Sequence, residues 1–407
     1  MFSRACFSRV QYAPCRHFSR CTAPAQWPSV AIIGIGQMGA AVAGNLLRNG
    51  VELTLFDLAG AANVPPPLEH DLRGASWANT AKDAASRADV VITALPRPEN
   101  VTAAFHGADG ILAGLRQGAT WIEHSTTDFE NTAKVRELVE AKGARAVEAP
   151  LTGGMQILRA GKMVTLVGAD PEVFEGDIAA LVALSAPRIV RCGEFGHATI
   201  IKIFSNILCA VHDVAIGETL CVAKKAGLDM KLVFDAMRVS SGNSFCWETE
   251  VPRMLKGDYY PDFTAEMMHK DIALGLALGR KYGVPQPTSE YVARRYEEAM
   301  EKYGRDSGSS ITCRLAEDAA GCRLIDGTGQ ADRYPGNSVA PLSHDGAFEN
   351  WSYTTDLCHG SYVVRHTGYK NPYLNAPWTK YAGLDEIAAL RAKVAELEEK
   401  LQQSDQS

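Results

Sequence analysis

The chain has 407 residues, 46% of them hydrophobic and 22% charged, with a formal net charge of −6. That length allows two domains and a core that folds without staples. The mixed charge argues against nucleic acid as the main partner. No apolar stretch is expected to reach the roughly 18 residues that cross a bilayer, so no membrane partner is expected either.

Residues 1–26 carry Arg4, Arg9, Arg16 and Arg20, several serines and no acid; the first acidic residue is Glu52. They lack the continuous apolar core of a secretory signal. An Arg-rich, Ser-containing, acid-free start describes a mitochondrial transit peptide and a matrix location; the plain alternative is a disordered basic tail. From Ser29 strands and helices alternate. Short apolar strands are predicted at 30–33, 51–56, 89–95, 121–123, 146–148 and 163–167. Helices are predicted at 37–49 (closed by Gly50), at about 128–142, and from Asp170 onward. Alternation of this kind predicts a doubly wound α/β domain over 27–192, with a parallel sheet covered on both faces.

Beyond about Gly193 the strands stop. One long helix is predicted from Gly196 to about Gly227, ended by the glycine, and further helices at 230–239, 264–282 and 289–303. Residues 193–305 therefore read as an all-helical domain, and 306–407 as an extension of a different character. In that extension Ile387, Leu390, Val394, Leu397 and Leu401 repeat at heptad spacing, predicting a helix over 384–403. Two heptads are too short to hold a dimer alone. Such a helix docks on its own protein or reinforces a preformed oligomer. The ten cysteines include no C-x-x-C pair, and their spacing suggests neither a disulfide framework nor a metal site.

Lys202 stands alone in an apolar helical run with Ile200, Ile201, Ile203, Phe204, Ile207 and Leu208, which would cover nearly every face of a buried helix. Burying an unpaired ammonium costs several kcal/mol unless it finds a partner or loses its proton. Asn206, one turn on, shares its face and can hold the amine. The alternative is a lysine that snorkels to water from the helix start. The natural work for a buried amine here is proton transfer beside a hydride transfer, because a nucleotide fingerprint stands upstream. Gly34, Ile35, Gly36, Gln37, Met38 and Gly39 form G-x-G-x-x-G between the first strand and first helix. Gly34 makes the tight turn, Gly36 admits the pyrophosphate and Gly39 permits close helix packing, with the phosphates at the helix N-terminus. Asp57, ending the second strand, can accept the ribose hydroxyls and would repel a 2′-phosphate, which predicts NAD.

Further candidates lie at the carboxyl edge of the sheet, where ligands of open α/β sheets bind. Leu95 and Pro96 end one strand. Ser125 and Thr126 end the next, with hydroxyls for nicotinamide or substrate, unless they cap the following helix. Thr152, Gly153 and Gly154 offer a hydroxyl and two N–H groups to a carboxylate, unless they form a plain turn. Lys270 could set its charge over substrate or cofactor, or be a solvated pair with Asp271.

Together these residues resemble the β-hydroxyacid dehydrogenase family, and most of all its 3-hydroxyisobutyrate dehydrogenase branch, over about residues 29–305. The matching motifs are Ile33-Gly-Ile-Gly-Gln-Met-Gly39, Glu148-Ala-Pro-Leu-Thr-Gly-Gly154, Gly193-Glu-Phe-Gly196 leading to Lys202 and Asn206, Gly217-Glu-Thr-Leu, Lys225-Ala-Gly-Leu-Asp229 and Lys270-Asp271. The resemblance implies a Rossmann-type domain joined by a long helix to an all-α domain, in dimers or tetramers, that oxidises a hydroxyl β to a carboxylate. It implies Lys202 as general acid/base, Asn206 as its positioning partner, Thr152 to Gly154 at the substrate carboxylate and Lys270 near cofactor and substrate. It points first to 3-hydroxyisobutyrate. A reductase of a semialdehyde such as tartronate semialdehyde, oxidation of another hydroxy acid such as threonate, or a non-catalytic NAD-binding scaffold are the alternatives; a 6-phosphogluconate dehydrogenase fits less well for want of a basic phosphate cluster. The chain departs from the family at Thr152 (usually Ser), Ser205 (usually Asn), Ile157 and Leu158 (usually Gly-Ala), and in lacking a proline after Thr126.

Overall fold

The computed structural model describes residues 26–325 and, separately, 351–354 and 363–366. The basic leader expected at 1–26, apart from its last residue, and the heptad helix expected at 384–403 lie outside the described residues.

The first half alternates as its sequence predicts: β1 (Val30–Ile33), α1 (Gln37–Arg48), β2 (Leu53–Phe56), β3 (Ser76–Trp77), α2 (Ala81–Ser86), β4 (Val90–Thr93), α3 (Pro98–Phe105), α4 (Ile111–Gly114), β5 (Thr120–Glu123), α5 (Phe129–Ala141) and β6 (Arg145–Glu148). These six strands pair in parallel in the order β3-β2-β1-β4-β5-β6. β1, β4 and β5 are buried along their whole length, as parallel strands covered on both faces must be. The chain order reverses between β1 and β4, which opens the crevice where such sheets take a dinucleotide.

The sheet then changes direction. β7 (Leu151–Thr152), α6 (Met155–Arg159), β8 (Val164–Gly168), α7 (Gly176–Ala183) and β9 (Arg188–Gly193) follow. β8 runs antiparallel to both β6 and β7, and β9 joins β8 in parallel. Under the sheet Trp121, wholly buried, meets Phe105 edge-on at 4.8 Å and donates its indole N–H to Thr93 Oγ1 at 2.8 Å. An aromatic of this size with its polar tip satisfied anchors a core.

The helical half contains α8 (His197–Lys225), α9 (Met230–Arg238), α10 (Phe245–Lys256), α11 (Ala265–Tyr282), α12 (Pro287–Tyr303) and α13 (Thr312–Ala320). Two expectations fail on α8. It is not covered all round: Ile201, Phe204 and Leu208 are 41%, 47% and 57% exposed. Their i, i+3, i+7 spacing sets them on one stripe, away from the stripe that carries Lys202 and Asn206. And α8 is itself long and apolar enough to cross a membrane by length and composition, with a mean hydropathy of 1.6 over 18 residues. Its two buried charges, Lys202 and Asp213, are too few to lower that average, and both are enclosed by protein.

Nor does the helical packing stop at Arg305. α13 lies against α8, where a Cβ on Gly217 would stand 2.8 Å from Cys313 Cα, and Leu324 is still 1% exposed. This helix is only nine residues long, with Leu315 its one large apolar side chain, and it lies inside the stretch read as an extension of different character. Gly275 on α11 makes the same kind of close crossing: a Cβ there would sit 2.0 Å from Ile207 Cδ1 of α8. By itself, the pair β10 (Trp351–Thr354) and β11 (Val363–His366) forms an antiparallel ladder with Trp351 opposite His366.

Candidate active site

The cofactor end is built by three glycines. Gly34 has φ +93°, and a Cβ on it would approach the Ala94 carbonyl oxygen to 2.5 Å. A Cβ on Gly39 would lie 1.9 Å from the Gly34 carbonyl oxygen. Gly36, by contrast, faces open space within 4 Å. It caps α1 with no side-chain cap and no acid in the first turn, so the free N–H groups and the helix dipole are offered to an anion. These residues fit the pyrophosphate of a nicotinamide dinucleotide. Gln37 meets Arg159, whose Nη2 donates to its Oε1 at 3.1 Å. Ile35 is buried and Met38 half-buried.

Asp57 sits where the fingerprint requires, and it also braces the loop. Its Oδ2 accepts from Ile35 N and Asn63 Nδ2, both at 2.8 Å, and its Oδ1 from Ala59 N at 2.9 Å. Each carboxylate oxygen has two acceptor sites, so Oδ1 keeps one for a ribose hydroxyl.

The amine predicted to do chemistry is buried and held. Lys202 Nζ donates to Asn206 Oδ1 at 2.8 Å, and Asn206 Nδ2 donates to Asp271 Oδ2 at 2.5 Å. The lysine does not snorkel: it is 9% exposed, and Asp271 is 0%. Burial pushes the Lys202 ammonium below its usual range, opposed by the Asp271 carboxylate and reinforced by Lys270. A lysine in such surroundings gives up its proton more readily than a solvated one, as a general base must.

Lys270 joins this cluster in an unexpected way. Its Nζ donates to the carbonyl oxygens of Pro96 (2.9 Å) and Thr126 (2.8 Å) and pairs with Asp271 Oδ1 at 3.0 Å. Two of the ammonium's three donors are thereby hydrogen-bonded, and its charge is paired with Asp271. The residue brackets the rim of the sheet to the helical half, rather than projecting a free charge toward a substrate carboxylate. At the same rim Leu95 N donates to Ser125 Oγ at 2.8 Å. Ser125 and Thr126 are not the caps of α5; Asp128 is, accepting from Asn131 N at 2.8 Å.

Beneath the rim lie three buried ionisable groups. Glu123 Oε1 accepts from Ser125 N at 2.6 Å, and burial pushes its carboxyl up to about 7. His124 Nδ1 lies 2.7 Å from the Ala149 carbonyl oxygen; burial pulls its imidazole down to about 4, so the ring is neutral and Nδ1 carries the proton. Glu148, also raised by burial, accepts from Ala198 N and Thr199 Oγ1, both at 2.7 Å. That carboxyl ends β6 and caps the N-terminus of α8, one turn before Lys202.

Thr152, Gly153 and Gly154 follow from the same strand end. Gly153 (φ +132°) and Gly154 (φ +91°) adopt backbone that side chains disfavour, and a Cβ on Gly154 would meet nothing within 4 Å. The helix after them, α6, is only five residues long, so little dipole supports this turn. Of the two bulky departures, Ile157 flanks the turn, 3.8 Å from a Cβ on Gly153. Leu158 faces α1, where its carbonyl accepts from Asn45 Nδ2 at 2.8 Å.

Comparison with known proteins agrees with this geometry. A family model described as the NAD binding domain of 6-phosphogluconate dehydrogenase matches residues 29–193, and one described as NAD-binding of NADP-dependent 3-hydroxyisobutyrate dehydrogenase matches 196–316. The chain is 31% identical over 254 residues to the mitochondrial 3-hydroxyisobutyrate dehydrogenase of Pongo abelii, covering 60% of this chain and 74% of that protein. The chain belongs to the β-hydroxyacid dehydrogenase family. It is thus an oxidoreductase of hydroxy acids with a nicotinamide cofactor. It is also 29% identical over 284 residues to 2-(hydroxymethyl)glutarate dehydrogenase of Eubacterium barkeri, covering 69% of this chain and 93% of that protein. Among solved structures it resembles Mycobacterium tuberculosis 3-hydroxyisobutyrate dehydrogenase with L-serine, at a TM-score of 0.62 and 27% identity, covering 71% of this chain and 99% of that one.

Asp271, Glu123, Glu148 and Gly275 were not singled out as site residues in the sequence. For this dehydrogenase the buried Glu123 carries a pH signature. Its carboxyl is easier to protonate folded than unfolded, so the stability it contributes is complete below pH 4.5 and is lost as pH rises through about 7. Glu123→Gln keeps an acceptor for Ser125 and does not ionise. In urea unfolding, the variant should gain on the wild type by at most about 3 kcal/mol across that window. A stability difference that does not change with pH would contradict this assignment.

Proposed function

We propose that this dehydrogenase oxidises a small hydroxymethyl acid, HO–CH2–CH(R)–COO−, to its semialdehyde with NAD, and that 3-hydroxyisobutyrate is its first substrate. The skeleton is common to the compounds in the relatives' names: R is methyl in 3-hydroxyisobutyrate, carboxyethyl in 2-(hydroxymethyl)glutarate and ammonium in L-serine. Apolar atoms of Ile157 and Met163 flank Gly153, which favours methyl over a charged group. Asp57 favours NAD, since a 2′-phosphate beside it would meet a carboxylate.

The observation that carries the reading is the buried Lys202 amine fixed by Asn206 in front of Asp271. When bound, nicotinamide supplies the hydride acceptor. Neutral Lys202 Nζ takes the proton of the substrate hydroxyl, while Asn206 Oδ1 holds the amine's direction. Thr152, Gly153 and Gly154 receive the carboxylate, and Lys270 keeps Pro96 and Thr126 of the cofactor rim in register with α11. In the reducing direction Lys202 returns the same proton.

Two further elements belong to this proposal. The exposed apolar stripe of α8 seats a second copy of the chain in a dimer or tetramer; sedimentation at the mass of a monomer would reject it. Residues 1–26 direct the protein to the mitochondrial matrix, and the Pongo abelii relative's name is that of a mitochondrial protein; a reporter fused to them that stays in the cytosol would refute that.

General acid–base assistance is worth typically ~10²–10⁴-fold. Lys202→Ala should therefore lose about that much kcat for 3-hydroxyisobutyrate, followed as NADH formation, with NAD affinity little changed. Full turnover in this variant would refute the mechanism, and no preference for 3-hydroxyisobutyrate across a panel of hydroxymethyl acids would refute the substrate.

A further inference from the structure

The stripe of α8 that carries Lys202 and Asn206 continues to Cys209 and Asp213, four residues apart. On α10, Cys246 and Glu250 are likewise four apart, the spacing that sets two ligands on one helix face. Cys246 Sγ lies 3.2 Å from Cys209 Sγ, and both sulfurs lie within 4.8 Å of an Asp213 carboxylate oxygen.

Asp213 is 0% exposed, its Oδ1 has no hydrogen-bond partner, and its Oδ2 accepts only a 3.4 Å bond from Tyr296 Oη. Among the described residues it forms no ion pair. The cation of this region, Arg253, is already shared by Glu250 (3.7 Å), Asp258 (3.4 Å) and Asp262 (3.9 Å). A buried carboxyl with an orphaned oxygen, aimed at two thiols, is poorly satisfied by protein alone.

We propose that Cys209, Asp213 and Cys246 bind one thiophilic divalent cation of the zinc class, bracing α8 against α10 behind the hydride-transfer site. Two sulfurs and one oxygen select zinc over magnesium or calcium, which take oxygen ligands. Tetrahedral zinc with Zn–S of about 2.3 Å needs its sulfurs about 3.8 Å apart, a small opening of the observed pair. The fourth position goes to water or to Glu250. Binding to thiolate sulfur releases the thiol protons, so affinity rises with pH. Cys209 is partly exposed, which leaves the ion a way in.

The test uses the full chain, stripped by chelator and titrated with zinc, with cobalt as a spectroscopic stand-in. One equivalent should bind and raise the melting temperature, and cobalt should show thiolate-to-metal charge transfer in the near ultraviolet. Zinc should protect Cys209 and Cys246, and no other cysteine, from maleimide labelling read by peptide mass. Cys246→Ser should weaken binding by at least about 100-fold, the upper range for an outer-shell loss, while Cys221→Ser should not. Labelling of the wild type decides the matter even if Cys246→Ser fails to fold. Failure to protect that pair, or a Cys209–Cys246 disulfide that forms equally with and without zinc, would overturn the proposal. None of these readouts requires turnover, so they stand or fall separately from the assigned reaction.

Discussion

The 2.5 Å hydrogen bond from Asn206 to Asp271 is the contact on which the proposed mechanism depends. It crosses from α8 to α11, and it exists only because the two helices approach closely at Gly275, where any side chain would collide with Ile207. Through it a fully buried carboxylate reaches the lysine amine by way of a neutral amide. A direct Lys–Asp pair would favour the charged ammonium strongly. With the amide between them, burial remains the dominant influence and the amine stays able to give up its proton.

The same α11 segment ties the chemistry to the cofactor edge. Lys270, next in sequence to Asp271, points back to the carbonyls of Pro96 and Thr126, so adjacent residues of one helix hold the amine and the rim. From the other side, Glu148 seats the start of α8 on the end of β6, three residues before Leu151 and the Thr152 turn. Arg97–Glu266 at 2.7 Å and Arg159–Asp262 at 3.3 Å join the halves at partly exposed positions, where ion pairs contribute only about 0–1 kcal/mol each. The Lys270 bonds to the rim and the buried Glu148 contacts therefore contribute more to the registry between the halves than these ion pairs do.

Much of this was legible because its signals are local. The glycine fingerprint, the acid after β2 and the lysine–asparagine pair one turn apart each follow from a few consecutive residues, and the alternating strands and helices predict a parallel sheet, though not its strand order or the antiparallel turn at β8. What was missed depends on residues brought together from afar. Asp271 looked like half of a solvated pair until α8 lay against it. Lys270 looked like a free charge until two distant carbonyls claimed it. Cys209 and Cys246, 37 positions apart, have no motif spacing at all. Hydrophobicity misled in both directions on α8, whose apolar run concealed an exposed stripe and whose two buried charges hardly altered its average. Glu123 and Glu148 look like ordinary strand-end acids, and only their burial marks them.

The pH dependence of kcat/KM for hydroxy-acid oxidation, in wild type and Asp271→Asn, tests the central claim most directly. Oxidation needs the neutral amine, so activity should climb with pH to a plateau above the Lys202 pKa. Asp271 raises that pKa against the larger effect of burial. Replacing it with asparagine keeps an acceptor for Asn206 but removes the charge, and the acid limb should move to lower pH. An acid limb that stays in place or moves to higher pH would contradict the account.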